Sequence, residues 1–232
     1  IDSVLTSRPD RLSVYNYAHL PHLFRAQRMI SSEQVPAPEV RLQLLASTIR
    51  KLVDAGYVYI GMDHFALPED ELSIAMEEGT LQRNFQGYST MRETDLVGMG
   101  VSAIGKVGNS FVQNLKDIRH WQAALDNDQI PVWRGLSLSG EDRLRRGVIS
   151  AIMCQGFVRF GDFERKYGID FNDHFALELK SLKPLEDDGL IELSERTIEV
   201  TPTGLLLLRA IAMKFDEYLI NDLQGKSYSK VI

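Results

Sequence analysis

The sequence predicts an α/β protein in two parts, an α/β unit over residues 1–138 and a small winged-helix-like α+β domain over 139–232. Two patterns carry this. In the first part a strand, an amphipathic helix and a second strand follow one another between Leu12 and Ile60, the order of a parallel βαβ crossover. In the second part three helical patterns and then a hairpin pattern run from Glu141 to Thr201, the order of a winged-helix domain.

Taken in order, Leu12 to Tyr17 reads as a short buried strand, ended by Asn16-Tyr17-Ala18-His19-Leu20-Pro21. A helix is expected from Pro38 to Ala55. Pro38 suits the first helical position and Gly56 the residue just past the end. Leu42, Leu45, Ala46, Ile49, Leu52 and Val53 make one apolar stripe at helical spacing. Tyr57 to Ile60 is the second strand, ended by Gly61-Met62-Asp63-His64, and it is expected to run parallel to the first. A short helix spans Pro68 to Glu78. Val97 to Ile104 and Ser110 to Gln113 read as extended, with a turn over 105–109, and a helix covers Lys116 to Asn127. In the second part, helices are expected over Glu141–Gln155, Asp162–Tyr167 and Phe171–Leu185. A hairpin follows around Ser194-Glu195-Arg196, then a last helix from Pro202 to about Leu219. One βαβ unit is too little for a closed parallel sheet, whose faces and edges need cover. That, and an opening at Ile1 rather than Met, predicts a longer protein with preceding strands.

Composition narrows the function classes. The 232 residues are 44% hydrophobic and 25% charged, with a net charge of -6. A negative balance disfavours non-specific nucleic-acid binding. No apolar run approaches the ~20 residues that span a bilayer, and Ile1-Asp2-Ser3 does not read as a signal peptide. The single cysteine, Cys154, excludes an internal disulfide framework and a cysteine-held metal cluster within the chain. On an apolar helix it reads as buried filler.

Several residues carry possible chemistry. Gly87, Gly98, Gly100, Gly105 and Gly108 fall within 22 residues, a density that lets backbone approach a ligand or another backbone closely. A hairpin explains Gly105 and Gly108; Gly98 and Gly100 favour contact with a cofactor. The spacing is not that of a dinucleotide-binding G-x-G-x-x-G. Phe85, Gln86 and Tyr88 beside it offer stacking and hydrogen bonding. His19 and His64 stand at two strand ends, where α/β folds place ligands. They either face one active site or are loop residues bonded locally. His19, His22, Asp63 and His64 suit zinc by type but lack a metal-binding spacing. Arg143, Arg145 and Arg146 could hold a carboxylate, or form a solvated helix face. The would-be recognition helix, Phe171 to Asp188, sets Lys180 and Lys183 against Asp173, Glu178, Glu186, Asp187 and Asp188. Phosphates would repel it, so a lid or packing domain is expected.

Four segments together resemble one family: Asn16-Tyr17-Ala18-His19-Leu20-Pro21, Ile60-Gly61-Met62-Asp63-His64-Phe65-Ala66, Asn84-Phe85-Gln86-Gly87-Tyr88 and Gly98-Met99-Gly100-Val101-Ser102-Ala103-Ile104. The family is the oxygen-independent coproporphyrinogen III oxidases (dehydrogenases) of the radical S-adenosylmethionine superfamily. Asp187-Asp188-Gly189-Leu190 and Phe215-Asp216-Glu217-Tyr218-Leu219 resemble its C-terminal end. The resemblance covers essentially the whole chain. It implies the C-terminal part of an incomplete (β/α) barrel of radical S-adenosylmethionine type, followed by the winged-helix-like domain.

The resemblance further implies an enzyme of haem biosynthesis that oxidatively decarboxylates two propionates of coproporphyrinogen III to vinyl groups. It implies two molecules of S-adenosylmethionine and a 4Fe-4S cluster held by a C-x-x-x-C-x-x-C motif in a first half not present in this sequence. Ala18 would contact the second S-adenosylmethionine and Ile104 the first. Phe85 and Gln86 would line the pocket near the reacting centre. His19, His64, Arg83 and Lys106 would lie near the substrate. A cytoplasmic monomer is expected, with no nucleic-acid or membrane partner and an electron acceptor the sequence does not name. Haem-trafficking relatives of the superfamily carry a His-Asn-x-x-Tyr-Trp motif, where this chain has Met62-Asp63-His64-Phe65-Ala66; that favours the oxidase. The alternatives are such a haem chaperone, or a winged-helix interaction module.

Overall fold

The computed structural model describes residues 1–91 and 94–221. The chain begins with helix α1 (Asp2–Ser7) and strand β1 (Arg11–Ser13). Two short 3-10 turns, Arg25–Met29 and Ser32–Gln34, lead to helix α2 (Pro38–Asp54). Strands β2 (Val58–Gly61) and β3 (His64–Ala66) then form a hairpin. Its turn residues Met62 and Asp63 have φ of 46° and 69°, the left-handed pair of a two-residue hairpin turn.

This hairpin corrects the expected crossover. The sheet order is β1-β3-β2, and β3 pairs antiparallel with both neighbours. The first two predicted strands do run in the same direction, but β3 lies between them. Met-Asp is not the Asn-Gly signature of such a turn, so the sequence hid it. The predicted strand over Leu12–Tyr17 is also shorter and less buried. Its partner β3 starts at His64, so pairing stops at Ser13, and Tyr15 and Tyr17 are exposed. In α2 only Leu52 of the predicted stripe is buried, while Leu42 and Val53 are exposed.

Helix α3 (Glu71–Glu77) is capped by Asp70, whose side chain accepts from Leu72 N. The hairpin β4 (Gln82–Asn84) and β5 (Gly87–Ser89) follows. Strands β6 (Ile104–Val107) and β7 (Ser110–Asn114), helix α4 (Ile118–Asp126) and strand β8 (Val132–Ser137) make the next unit, with β7 central in its antiparallel sheet. The predicted extended run from Val97 is not a strand until Ile104; before it, only Leu96 bridges to Lys106.

Helix α5 (Gly140–Gln155) starts with a reciprocal capping box between Ser139 and Asp142 and ends at Gly156, φ 64°. Strand β9 (Phe157–Arg159), helix α6 (Phe160–Tyr167), and helices α7 (Phe171–His174) and α8 (Ala176–Asp187) follow. The single predicted helix over Phe171–Leu185 breaks at Phe175, and both Phe171 and Phe175 are fully buried. Strands β10 (Ile191–Leu193) and β11 (Thr197–Val200) form the predicted hairpin, and β9 pairs on its far side. The predicted last helix is in pieces: a 3-10 turn at Gly204–Leu207, α9 (Leu208–Ala212), a 3-10 turn at Met213–Phe215, and α10 (Glu217–Asn221). Extended backbone at Asp216 separates the last two.

The main core runs across both parts of the chain. Ile60, Ala66, Leu72 and Leu81 pack with Leu144, Val148, Ile152, Phe160, Phe171, Phe175 and Phe215 in one cluster. A smaller cluster of Leu52, Tyr57, Phe65 and Leu67 seats α2 on the first sheet. Arg145 is not on a solvated face. It donates to Glu141 at 2.6 Å and to Glu178 at 2.7 Å, tying α5 to α8.

Candidate functional site

The residues expected to carry chemistry fall in three places, two of which touch. The hairpin β4–β5 has a two-residue loop, Phe85-Gln86, because Asn84 pairs directly with Gly87. Asn84 Oδ1 accepts from Gln86 N at 2.8 Å, and Gly87 takes φ 131°, a value that suits glycine. The loop holds Phe85 and Gln86 at an exposed tip. Phe85 meets Phe111 of β7 edge to face at 5.4 Å between centroids. Phe111 is paired with Lys106 of β6, the strand that begins at Ile104. So Phe85, Gln86, Ile104 and Lys106 belong to one hairpin-on-sheet assembly.

At the base of the same hairpin lies a polar cluster. His64 Nδ1 is 2.7 Å from Met62 O; the carbonyl accepts, so Nδ1 carries the proton and Nε2 is left as acceptor. Tyr15 hydroxyl lies 3.5 Å from Nε2. A Cβ at Gly87 would sit 3.2 Å from the same nitrogen, so the glycine lets the ring close on the hairpin. Tyr88 meets His64 edge to face at 5.3 Å, and the Arg83 guanidinium lies 5.5 Å from the Tyr88 ring centre. Arg83 Nε is buried without a partner among the described residues. Burial raises the Asp63 carboxyl, opposed by the positive charges of Arg209 and Arg83, and by His64 only when its ring is protonated. Burial also pushes the Tyr88 phenol far up and the Tyr59 phenol to about 12.

Ala18 and His19 lie apart from that assembly. Gln27 clasps their loop: its side chain accepts from Leu20 N at 2.5 Å and donates to Ala18 O at 3.0 Å. His19 Nδ1 is 3.4 Å from the Tyr17 hydroxyl. Upstream, Tyr15, Asn16 and Tyr17 line a cavity of about 260 Å³ together with Val35, Arg41 and Leu45. Arg41 Nε is buried there without a partner among the described residues. Tyr15 is the link between this segment and His64. The two histidines therefore do not touch one another, although one tyrosine-bearing strand end reaches both.

Of the two close approaches that the glycine-rich run allows, the structure shows backbone against backbone. A Cβ at Gly98 would lie 2.8 Å from the Ile104 carbonyl carbon, and one at Gly105 would lie 2.7 Å from Leu96 O. These glycines let the 96–98 segment lie against β6, backbone on backbone. Gly100, with φ 96° and open space around it, is a turn glycine. Asn114, which the sequence reading missed, fixes the loop: its buried amide donates to Gly98 O and Gly100 O. A polar residue ending an apolar strand was the only available signal.

Residues 138–207 match the family model described as HemN C-terminal domain. The oxygen-independent coproporphyrinogen III oxidase of Pseudomonas aeruginosa is 49% identical over 232 residues, all of this chain and 50% of that protein. The oxygen-independent coproporphyrinogen III oxidase of Thermostichus vulcanus is 40% identical over 233 residues, covering 100% of this chain and 71% of the relative. This chain belongs to the oxygen-independent coproporphyrinogen III oxidase family. The solved structure titled as coproporphyrinogen III oxidase (HemN) from Escherichia coli, a radical SAM enzyme, superposes with a TM-score of 0.90 at 46% identity, over 94% of this chain and 50% of that one. The fold is thus the α/β fold of that oxidase over the matched half. The chain spans about half the length of the first relatives it matches.

A family of radical S-adenosylmethionine enzymes needs a cluster, and these residues do not fit one. Among the described residues no group of three or more His, Cys, Asp or Glu could hold a metal ion. Cys154 is buried, and burial pushes its thiol up to about 11, the reverse of what a thiolate ligand needs. S-adenosylmethionine is better matched, since the exposed Gln86 amide and the Ile104 strand offer polar and apolar contacts. No helix of the described residues is long and apolar enough to cross a membrane.

Proposed function

We propose that this chain forms one wall of the active site of a coproporphyrinogen III dehydrogenase, an enzyme that converts two propionates of coproporphyrinogen III to vinyl groups in haem biosynthesis. The observation that carries the reading is the contact of the Phe85-Gln86 hairpin tip with the sheet bearing Ile104, through Phe85 on Phe111. It gathers an amide, an aromatic ring and an apolar strand around one exposed surface. In this reading Ile104 contacts one S-adenosylmethionine and Ala18 a second. Phe85 and Gln86 orient the reacting groups. Arg83, Lys106, His19 and His64 are the nearest basic candidates for the substrate carboxylates. Of these, Arg83 and His64 converge at the hairpin base, which favours them over His19.

S-adenosylmethionine, when bound at a four-iron cluster supplied by residues outside this chain, provides the hydrogen-abstracting radical. What this chain contributes is placement and exclusion of water. We also propose a boundary near Ser139, between a barrel part over 1–138 and a winged-helix-like domain over 139–232; the family-model match starting at residue 138 supports it. The protein is read as a cytoplasmic monomer without nucleic-acid partners.

Co-expression tests the reading. The 232 residues alone, given reductant, S-adenosylmethionine and coproporphyrinogen III, should show no turnover. Co-purified with the cluster-bearing half of the Pseudomonas relative, they should restore S-adenosylmethionine cleavage and decarboxylation. Turnover by this chain alone, or no cleavage by a correctly assembled pair, would refute the assignment.

A further inference from the structure

We infer that Tyr88 is a positioning residue, whose hydroxyl straps the hairpin bearing Phe85 and Gln86 to the end of helix α5. The inference rests on the function proposed above. Tyr88 lies two residues beyond Gln86, on the returning strand of the hairpin. Its hydroxyl donates to Met153 O at 2.9 Å. Met153 stands in the last turn of α5, where carbonyls have no donor within the helix. The phenol therefore fills a vacancy that some donor must fill, since an unpaired buried carbonyl is costly.

The surroundings are shaped for that bond. A Cβ at Gly61 would lie 2.9 Å from the Tyr88 oxygen, so glycine there leaves the phenol its path. His64 and Arg83 flank the ring. Two further links join the same elements. Gln155 Nε2 donates to Leu81 O at 3.1 Å, just before β4, and the Arg146 guanidinium lies 5.3 Å from the ring centre of Phe111, the residue that Phe85 touches. A two-stranded hairpin is marginal by itself. Its tip is therefore only as well placed as its straps, and each runs to α5 or to the sheet that α5 touches. The helical C-terminal region would set the position of Gln86 without touching substrate.

The test compares Tyr88→Phe with Tyr57→Phe in the complete, cluster-reconstituted enzyme. Tyr57 also donates a phenol hydrogen bond, to Pro9 O at 2.7 Å, but far from the hairpin. Tyr88→Phe should lower kcat about tenfold with the KM for S-adenosylmethionine within about twofold, the size expected for one lost hydrogen bond felt at the reacting centre. Hydrogen exchange at the Gln86, Gly87 and Tyr88 amides should quicken by a similar factor. Tyr57→Phe should move neither. Equal losses from both variants would reduce Tyr88 to a stabilising role, and faster exchange with unchanged kcat would also overturn positioning. If Tyr88→Phe folds poorly, Gln155→Ala, at an exposed residue, should loosen the same amides about threefold; no change there overturns the strap. Full turnover by Gln86→Ala would overturn the functional reading instead, and the positioning role with it.

Discussion

Helix α5 buries Leu144, Val148, Ile152, Met153 and Cys154, whereas α4 buries none of its nine residues and β8 leaves all six exposed. Both regions are amphipathic in sequence. The difference lies in what faces them. From Gly140 to Phe215, helices and a three-stranded sheet close around a stack of phenylalanines, with Phe160 on Phe171 at 4.1 Å and Phe171 against Phe175 at 4.7 Å. From Leu96 to Ser137, three strands pair fully, yet Ile118, Ile130, Val132, Trp133 and Leu136 remain exposed. Hydrogen bonding completes a sheet locally, but only a second layer buries its face. One region is buried in the main core, which it shares with Ile60, Ala66, Leu72 and Leu81, and the other carries a sheet whose β8 strand is left exposed.

That contrast predicts where substitutions hurt. Phe171→Ala, at a fully buried ring, should cost about 3–5 kcal/mol, read as a fall in the urea midpoint. Arg145→Met should cost about 3 kcal/mol, because Glu178 is buried and would lose its partner; a loss near zero would mean that the C-terminal core does not depend on its ion pair. The buried Cys154 thiol gives a pH signature. Its folded value, about 11, lies above the ordinary ~8.5 of a free thiol. Between those values the folded chain binds more protons than the unfolded one, so stability falls as pH rises. The contribution is present below pH ~8.5 and is lost as pH passes through about 11. Urea titrations of wild type and Cys154→Ala should converge over that range by roughly 3 kcal/mol. Ser139→Ala removes one side of the α5 capping box and should cost about 1 kcal/mol, visible as a lower thermal midpoint. Trp133→Ala, on the uncovered sheet, should change the stability of this chain by less than about 0.5 kcal/mol. A large loss there would show that the β8 face is covered after all.

The sequence was most legible where periodicity and capping agreed. Pro38 starts α2 and Gly56, φ 93°, stands just past its end, as their chemistry requires. It was least legible where tertiary contact decides local structure. The Met62-Asp63 turn has no turn signature, and its left-handed backbone is held by sheet pairing on both sides of β3. The break at Phe175, with φ -105° and ψ 26°, falls inside an apolar pattern that periodicity reads as one continuous helix. In the candidate site, the residue types at the hairpin tip could be read from motif resemblance. Their anchorage could not, since Tyr88 meets Met153 across 65 positions of chain. The glycine at 98 reads as room for a cofactor, and the one at 105 as a hairpin glycine; each makes room for backbone. The same absence of a side chain serves equally for backbone against backbone, and sequence alone does not separate the two.

The most direct test of the central claim is turnover of coproporphyrinogen III by the complete reconstituted enzyme carrying Gln86→Ala. Gln86 is exposed at the hairpin tip, so folding and cluster content should be unchanged. The account predicts a fall in kcat of about a hundredfold, as for loss of a group that orients reacting atoms. Wild-type turnover with full cluster occupancy would contradict it.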